Sequence, residues 1–310
     1  MVELNSVSKS FGSVQALKNI SISAGNGRAY GLLGRNGAGK TTTLRIIMDI
    51  FKPDRGTVLI DGQPAGKSNA RIGYLPEERG LYPRRLVGEQ MIYIGVLRGL
   101  SKETAQKNAK RLLKELEVPE FYQRKLETLS KGNQQKIQLA VALISEPDLL
   151  ILDEPFSGLD PVNAKILKDI VKMQSALGKT ILFSSHQMSQ VEEFCEEICI
   201  INKGEKVLEG RIDDIKRSYP RNIYYASIGG YVPDELLSAV SNALGSWCKG
   251  IRRKGLGFEV ALSDPSARGA LFDAIRKQGA TPEVFTVKEP SLEEIFVEKA
   301  GGSDETGDEN

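Results

Sequence analysis

The stretch Gly34-Arg35-Asn36-Gly37-Ala38-Gly39-Lys40-Thr41-Thr42 fits the pattern G-x-x-x-x-G-K-[ST] without a gap, and few local patterns narrow a fold so far. The apolar run Ala29 to Leu33 before it reads as a buried strand, and Leu44 to Met48 after it has helical character. A strand, a glycine loop and a helix in that order turn successive backbone N–H groups toward one point. Glycines at 34, 37 and 39 leave room for an anion to approach and permit positive φ, and the helix adds the positive end of its dipole. This is a cradle for polyphosphate: Lys40 supplies charge to the β and γ phosphates, the Thr41 hydroxyl a Mg²⁺ ligand, and Thr42 a further phosphate contact.

The 310 residues suffice for two domains, each with its own core. A net charge of +2 with 26% charged residues gives neither a nucleic-acid field nor a polybasic membrane anchor. No apolar run approaches the roughly twenty residues that span a bilayer, and Met1 to Asn5 lacks an export signal, so a cytoplasmic chain is expected. Cys195, Cys199 and Cys248 form no even disulfide framework and no C-x-x-C pair. Cys195 and Cys199, on a helix expected over Val191 to Ile198, read as buried thiols sharing a face rather than as metal ligands.

Residues 2 to 24 alternate as an antiparallel sheet, with Phe11 at the end of the first strand, placed either to stack on an adenine ring or to pack as an edge aromatic. Strands are expected at 57 to 60, closed by the hairpin signal Asp61-Gly62, and at 71 to 75. The segment Pro76 to Arg85 is too polar and too rich in Pro and Gly to be core and reads as a surface loop. A small helical insert begins at Ser101, its stripe Ala105, Ala109, Leu112, Leu113 and Leu116 facing inward. Ser130 is placed to cap the next helix. Leu149 to Leu152 is a buried strand delivering Asp153 and Glu154 at its end, where a carboxylate beside a phosphate loop holds Mg²⁺. Asp160-Pro161 starts a helix, Thr180 to Ser185 is a further buried strand delivering the sole histidine, His186, and Ser189 with Glu192 suggests a capping box.

After Ile215 the pattern changes to β-α-β-β-α-β between 223 and 287, as in a small ferredoxin-like module. Ser291 and Glu294 cap a last helix to Lys299, and 301 to 310 reads as a disordered acidic tail. The expected division is therefore a nucleotide-binding domain over 1–215, an α+β accessory domain over 220–300, and the tail over 301–310.

Taken together, the first 215 residues resemble the ATP-binding cassette (ABC) ATPases of membrane transporters. Phe11 matches their adenine-stacking aromatic, Gly34 to Thr42 their phosphate loop, Leu129 to Asn133 the signature usually written L-S-G-G-Q, Leu149 to Glu154 the magnesium strand, Ser157 to Asp160 the loop after it, and His186 the switch histidine. The resemblance implies an α/β phosphate-loop fold with a mixed sheet core, an antiparallel β subdomain and a helical subdomain, ahead of the ferredoxin-like module. It implies ATP hydrolysis with Glu154 as general base, Asp153 and Thr41 on Mg²⁺, and His186 on γ-phosphate and water. It further implies a head-to-tail pair, homodimer or paralogous heterodimer, in which Ser130 and Gly132 bind the γ-phosphate held by the partner's Lys40, and it counts Asp160 among the nucleotide-binding residues. Separate membrane permease chains, docked through the loop from Glu77 to Arg98, are implied as well, with the chain peripheral on the inner face of the membrane.

Three positions depart from the family pattern. Glu77 stands where a glutamine is usual, keeping a possible part in catalysis and on Mg²⁺, and the signature carries Lys131 and Asn133. These features, with the wording Leu75 to Tyr82 and Ser291 to Phe296, resemble the export subunits of bacteria and archaea that include sodium-extrusion ATPases. An importer subunit, or a soluble ABC protein acting on ribosomes or nucleic acid, are the alternatives. The second would carry two fused cassettes or long coiled coils, and this chain has neither pattern. The C-terminal module could bind a ligand, bridge two subunits or stabilise their dimer.

Overall fold

The computed structural model describes residues 1–78 and 80–300, so the expected acidic tail lies outside the described residues. The chain forms two compact units, one of residues 1–212 joined by the end of the last helix, the other Asp213–Ile295.

In the first unit, β1 (Val2–Phe11) and β2 (Val14–Ala24) pair antiparallel and lead into β3 (Ala29–Leu33) and α1 (Lys40–Ile47). Then follow β4 (Arg55–Ile60), β5 (Gln63–Pro64), β6 (Ile72–Leu75), α2 (Val87–Leu97), α3 (Lys102–Glu115) and α4 (Lys131–Leu143). The unit closes with β7 (Leu149–Asp153), α5 (Pro161–Ala176), β8 (Thr180–Ser185), α6 (Met188–Phe194), β9 (Glu197–Asn202) and β10 (Glu205–Arg211). Two sheets result, an antiparallel one in the order β2-β1-β4-β5 and a mixed one in the order β10-β9-β3-β8-β7-β6. In the second, only the β9–β10 pair is antiparallel. Strands β3, β7 and β8 are buried along their whole length, which is why they read as unbroken apolar runs rather than alternating ones.

One core joins both sheets through α1: Leu4, Leu17 and Ile20 from the first meet Leu44 and Ile47 of α1 and Leu32, Ile151 and Leu182 from the second. Each such side chain contributes about 1.5–3 kcal/mol by burial. Tyr30 of β3 adds a polar tie, its hydroxyl donating to Glu209 Oε1 at 2.7 Å, where Ser23 N of β2 also donates at 3.1 Å. Burial drives the Tyr30 phenol far above its ordinary pKa, so it stays a donor.

Three local expectations give way. Half of the segment from Glu77 to Arg98, expected as a loop, is the helix α2, which packs on α3 and α4. The helix expected over Val191–Ile198 ends at Phe194; Cys195 caps it and Cys199 lies in β9, so the two thiols share no helical face. The β-branched run Ile198, Ile200, Ile201 gains more as a buried strand beside β3 than it would by continuing the helix. Both thiols are nevertheless buried and free, and burial raises that of Cys199 to about 12. Helix α6 starts before Ser189, at Met188, without a side-chain cap; instead Ser185 Oγ accepts from Gln187 N at 3.0 Å.

After α7 (Ile212–Arg217), the second unit runs β11 (Ile223–Ser227), α8 (Asp234–Leu244), β12 (Cys248–Lys254), β13 (Gly257–Leu262), α9 (Arg268–Lys277) and β14 (Val284–Val287). Its sheet, β12-β13-β11-β14, is antiparallel throughout, the ferredoxin-like order. Val240 and Leu244 of α8 and Leu271 and Ile275 of α9 pack on Phe258, Val260 and Leu262. The closing helix α10 (Leu292–Ala300) opens with a reciprocal box, Glu294 N to Ser291 Oγ at 3.2 Å and Ser291 N to Glu294 Oε2 at 3.0 Å.

Strand alternation turns Glu259 to the face opposite that core, where it is only 4% exposed. Arg252 reaches its Oε2 at 2.8 Å, and Lys254 and Lys288 its Oε1 at 2.7 and 3.3 Å. Burial pushes the carboxyl pKa up, but Lys254, Arg252 and Lys288 outweigh it and hold the group at about 2, against an ordinary 4.5. A pKa lowered on folding gives stability that is complete above the unfolded value and is lost as pH falls through the folded one. We therefore expect this unit to lose stability between about pH 4.5 and about pH 2. Glu259→Gln should cost about 1–2 kcal/mol at neutral pH and flatten that acid limb, as read by melting temperature against pH. An unchanged limb would show that the cluster contributes nothing.

Candidate active site

The loop leaving β3 passes closer to its neighbours than a side chain would allow. A Cβ on Gly34 would lie 2.3 Å from the Ile201 carbonyl oxygen, and one on Gly39, at φ 112°, would lie 2.8 Å from that of Ala16. Lys40, the first residue of α1, is buried; its Nζ donates to the Gly34 and Arg35 carbonyls at 2.7 and 3.3 Å and stands 3.4 Å from Glu154 Oε1. The loop thus encloses a bare ammonium whose partners are its own carbonyls and one acid.

Strand pairing sets the opposite wall. Because β7 lies next to β8, Asp153 sits beside Ser184, whose hydroxyl donates to Asp153 Oδ1, while Thr41 Oγ1 donates to the same oxygen at 3.4 Å. Asp153 Oδ2 is buried with no hydrogen-bond partner among the described residues. Glu154 follows at φ 48°, a left-handed conformation that costs a non-glycine residue about 1–3 kcal/mol and recurs at functional sites. Its carboxylate lies between two bases: Oε1 faces Lys40, and Oε2 meets His186 Nδ1 at 3.0 Å and the Ser185 hydroxyl at 3.3 Å.

Glu77, Asn36, Gly37, Gly39, Lys40, Thr41, Thr42 and Glu154 line one cleft of about 490 Å³. The expected residues are not all there. Phe11 lies outside it, 44% exposed, with its ring edge-on to Phe51 at 5.3 Å and Lys9 above it at 5.5 Å. Ser130, Gly132 and Asp160 form a second group. Ser130 caps α4, and Asp160 caps α5 by accepting from Val162 N and Asn163 N at 3.0 and 2.9 Å. The two caps meet at Asn163, which donates to Asp160 at 2.6 Å and would lie 2.7 Å from a Cβ on Gly132. Helix α4 also holds the residues that follow Glu77 and Glu154 in the chain, Gln138 donating to the Glu78 carbonyl and Gln135 to that of Pro155, each at 3.2 Å.

The cleft has a further wall that local reading missed, made by Val14, Gln15, Ala16 and Lys18 of β2 and by the Lys203-Gly204 turn. That turn is latched to the phosphate loop and to β2, Gly204 N donating to the Ala38 carbonyl at 3.0 Å and the Gly204 carbonyl accepting from Lys18 N at 2.7 Å. Asn202-Lys203-Gly204 signals a hairpin, and both turn residues have positive φ, but no sequence signal says what a hairpin packs against.

A glycine loop around a buried lysine, facing two acids and a histidine at adjacent strand ends, defines a phosphate-loop nucleotide hydrolase. Comparison with known proteins narrows this. The family model "ABC transporter" matches residues 17–157, and "ATP-binding protein DrrA1-3-like, C-terminal domain" matches 210–300. The chain is 39% identical to the ABC transporter ATP-binding protein YhaQ of Bacillus subtilis over 97% of its own length and 99% of the relative's. It is 31% identical to a Nod factor export ATP-binding protein I of Burkholderia lata over 97% of each. A solved dimeric ATP-binding cassette in a post-hydrolysis state, bound to ADP and Pi, superposes with a TM-score of 0.62 at 28% identity, covering 68% of this chain and 99% of that one. The chain belongs to the ATP-binding proteins of ABC transporters, and it is an ATPase. Among the described residues, no helix is long and apolar enough to cross a membrane.

Proposed function

We propose that the chain is the ATP-hydrolysing subunit of an ABC exporter, driving a separate membrane permease from the inner face of the membrane. The observation that carries the catalytic assignment is the Glu154 carboxylate held between Lys40 and His186 at the mouth of the phosphate loop. Glu154 takes a proton from the attacking water as its oxygen bonds to the γ phosphorus and the bond to the β-bridging oxygen breaks, releasing ADP and phosphate. His186 orients Glu154 and meets the γ-phosphate. Lys40 exchanges its loop carbonyls and Glu154 for β and γ oxygens. Asp153 Oδ2, unpartnered among the described residues, with the Thr41 hydroxyl is a hard-oxygen set that fits Mg²⁺, and Glu77, which lines the cleft, would hold the ion or its water. The ion would neutralise charge developing on the phosphates.

Ser130, Gly132 and Asp160 stand apart from the cleft of their own chain, which supports a head-to-tail pair in which they close the partner's site. ATP then joins two chains and hydrolysis releases them. Phe11, whose ring is exposed, is the side chain we assign to stacking on adenine. The segment from Glu77 through α2, with Tyr82, Tyr93 and Leu97 exposed, is the surface we assign to the permease. Export is favoured by relatives whose names state it, the Nod factor export protein among them.

The test is capture from detergent-solubilised membranes with tagged Glu154→Gln chain in ATP. A multi-span protein retained with ATP is the expected result. Ribosomal proteins or nucleic acid in its place would overturn the transport reading and leave the ATPase standing.

A further inference from the structure

Helix α9 and strand β14 of the C-terminal unit border a second cleft, of about 460 Å³, a size that accepts a small organic molecule. Its apolar wall is aromatic. Phe285 stacks on Tyr224 with centroids 5.9 Å apart and meets Phe272 edge-on at 5.3 Å. Tyr224 is locked in place by its hydroxyl, which donates to the Pro265 carbonyl at 3.3 Å. That bond holds the Tyr224 ring, while those of Phe272 and Phe285 are only half-buried.

Two charges share this cleft, Arg268 and Asp273, and neither has a partner among the described residues. Their neighbours differ: in the same unit Arg221, Arg252 and Arg253 each meet a carboxylate. Arg268 also opens α9, where a cation opposes the helix dipole. Gly269 lines the same cleft. Helix propensity disfavours glycine there, and a Cβ would meet nothing within 4 Å, so packing within the chain does not demand it. What its absent side chain leaves is open volume inside the cleft.

We propose that this cleft binds a small zwitterion with an aromatic body: its carboxylate on Arg268, its ammonium on Asp273 and its ring against Phe272 and Phe285 over Gly269. The guanidinium offers a planar fork suited to a carboxylate, and the aromatic wall offers stacking rather than hydrogen bonds. The site is independent of the ATPase reading, since no residue of the nucleotide cleft takes part.

The full chain is titrated by ligand-observed NMR with three probes: L-phenylalanine, phenylacetate, which lacks the amine, and 2-phenylethylamine, which lacks the carboxylate. L-Phenylalanine should bind saturably, and each truncated probe at least about tenfold more weakly, the scale of one lost charge-assisted contact. Arg268→Ala should weaken L-phenylalanine and phenylacetate but spare the amine probe, and Asp273→Ala should do the reverse. Gly269→Leu should abolish binding while its melting temperature stays at or above the parent's. No saturable binding of L-phenylalanine at up to about 20 mM, far weaker than any useful ligand, equal binding of all three probes, or undiminished binding by a folded Gly269→Leu chain would each overturn the proposal.

Discussion

Glu154→Gln is expected to hydrolyse ATP about 10² to 10⁴ times more slowly than the parent chain, the scale for removing a general base. Glutamine keeps the size of the side chain and an oxygen to accept from Ser185, but it cannot take a proton from water. It also removes a negative charge that is 6% exposed and would face the γ-phosphate. Repulsion across so dry a space is screened far less than at the surface. ATP should therefore bind at least as tightly, and the ATP-bound chains should persist as a dimer. Single-turnover hydrolysis, retention of labelled ATP and gel filtration together check this. Hydrolysis near the parent rate would remove Glu154 from its assigned role and leave His186 as the candidate base.

Gly39→Ala should be a severely damaging conservative change in the phosphate loop. At φ 112° an alanine is strained by about 1–3 kcal/mol. Its methyl would press on Leu17 Cδ2 at 2.7 Å and on the Ala16 carbonyl oxygen at 2.8 Å, and the second is backbone that cannot rotate away. The Gly39 carbonyl also accepts from both Thr43 N and Thr43 Oγ1 at 2.9 Å, so a shift there frays the first turn of α1. We expect a loss of about 3 kcal/mol in stability, with ATP affinity down at least about tenfold, because the donors around Lys40 move with the loop. Gly62→Ala is the control. It has φ 77° but nothing within 4 Å of its Cβ, so it carries the strain without the collision. If both variants lose stability equally and both keep ATP binding, the close approach of loop to β2 has no functional meaning.

How far the sequence could be read depended on whether a feature is local. The phosphate loop, the acids after Leu152, the cap at Asp160 and the histidine after Ser185 are each specified by residues adjacent in the chain, and the structure brings Lys40, Glu154 and His186 into contact. Helix α2 could not be read this way. Its eleven residues include Gly88, Gly95 and several β-branched side chains, poor helix formers in isolation. The glycines are there because a Cβ on Gly88 would lie 2.7 Å from the Tyr122 ring and one on Gly95 2.8 Å from Ala105 Cβ. Packing against α3 and its neighbours, not propensity, makes this segment a helix.

By itself, then, the sequence singled out the residues to which the chemistry is assigned, because a phosphate loop or a strand ending in acids is complete within about ten positions. The tertiary structure alone decided what those residues meet. Placing β8 between β3 and β7 sets His186 and Glu154 beside Lys40, and latching the Lys203-Gly204 turn to Ala38 walls the cleft. An apolar strand has the same pattern whichever strand lies beside it, so strand order is settled by the packing of the whole core, and with it the distances on which hydrolysis depends.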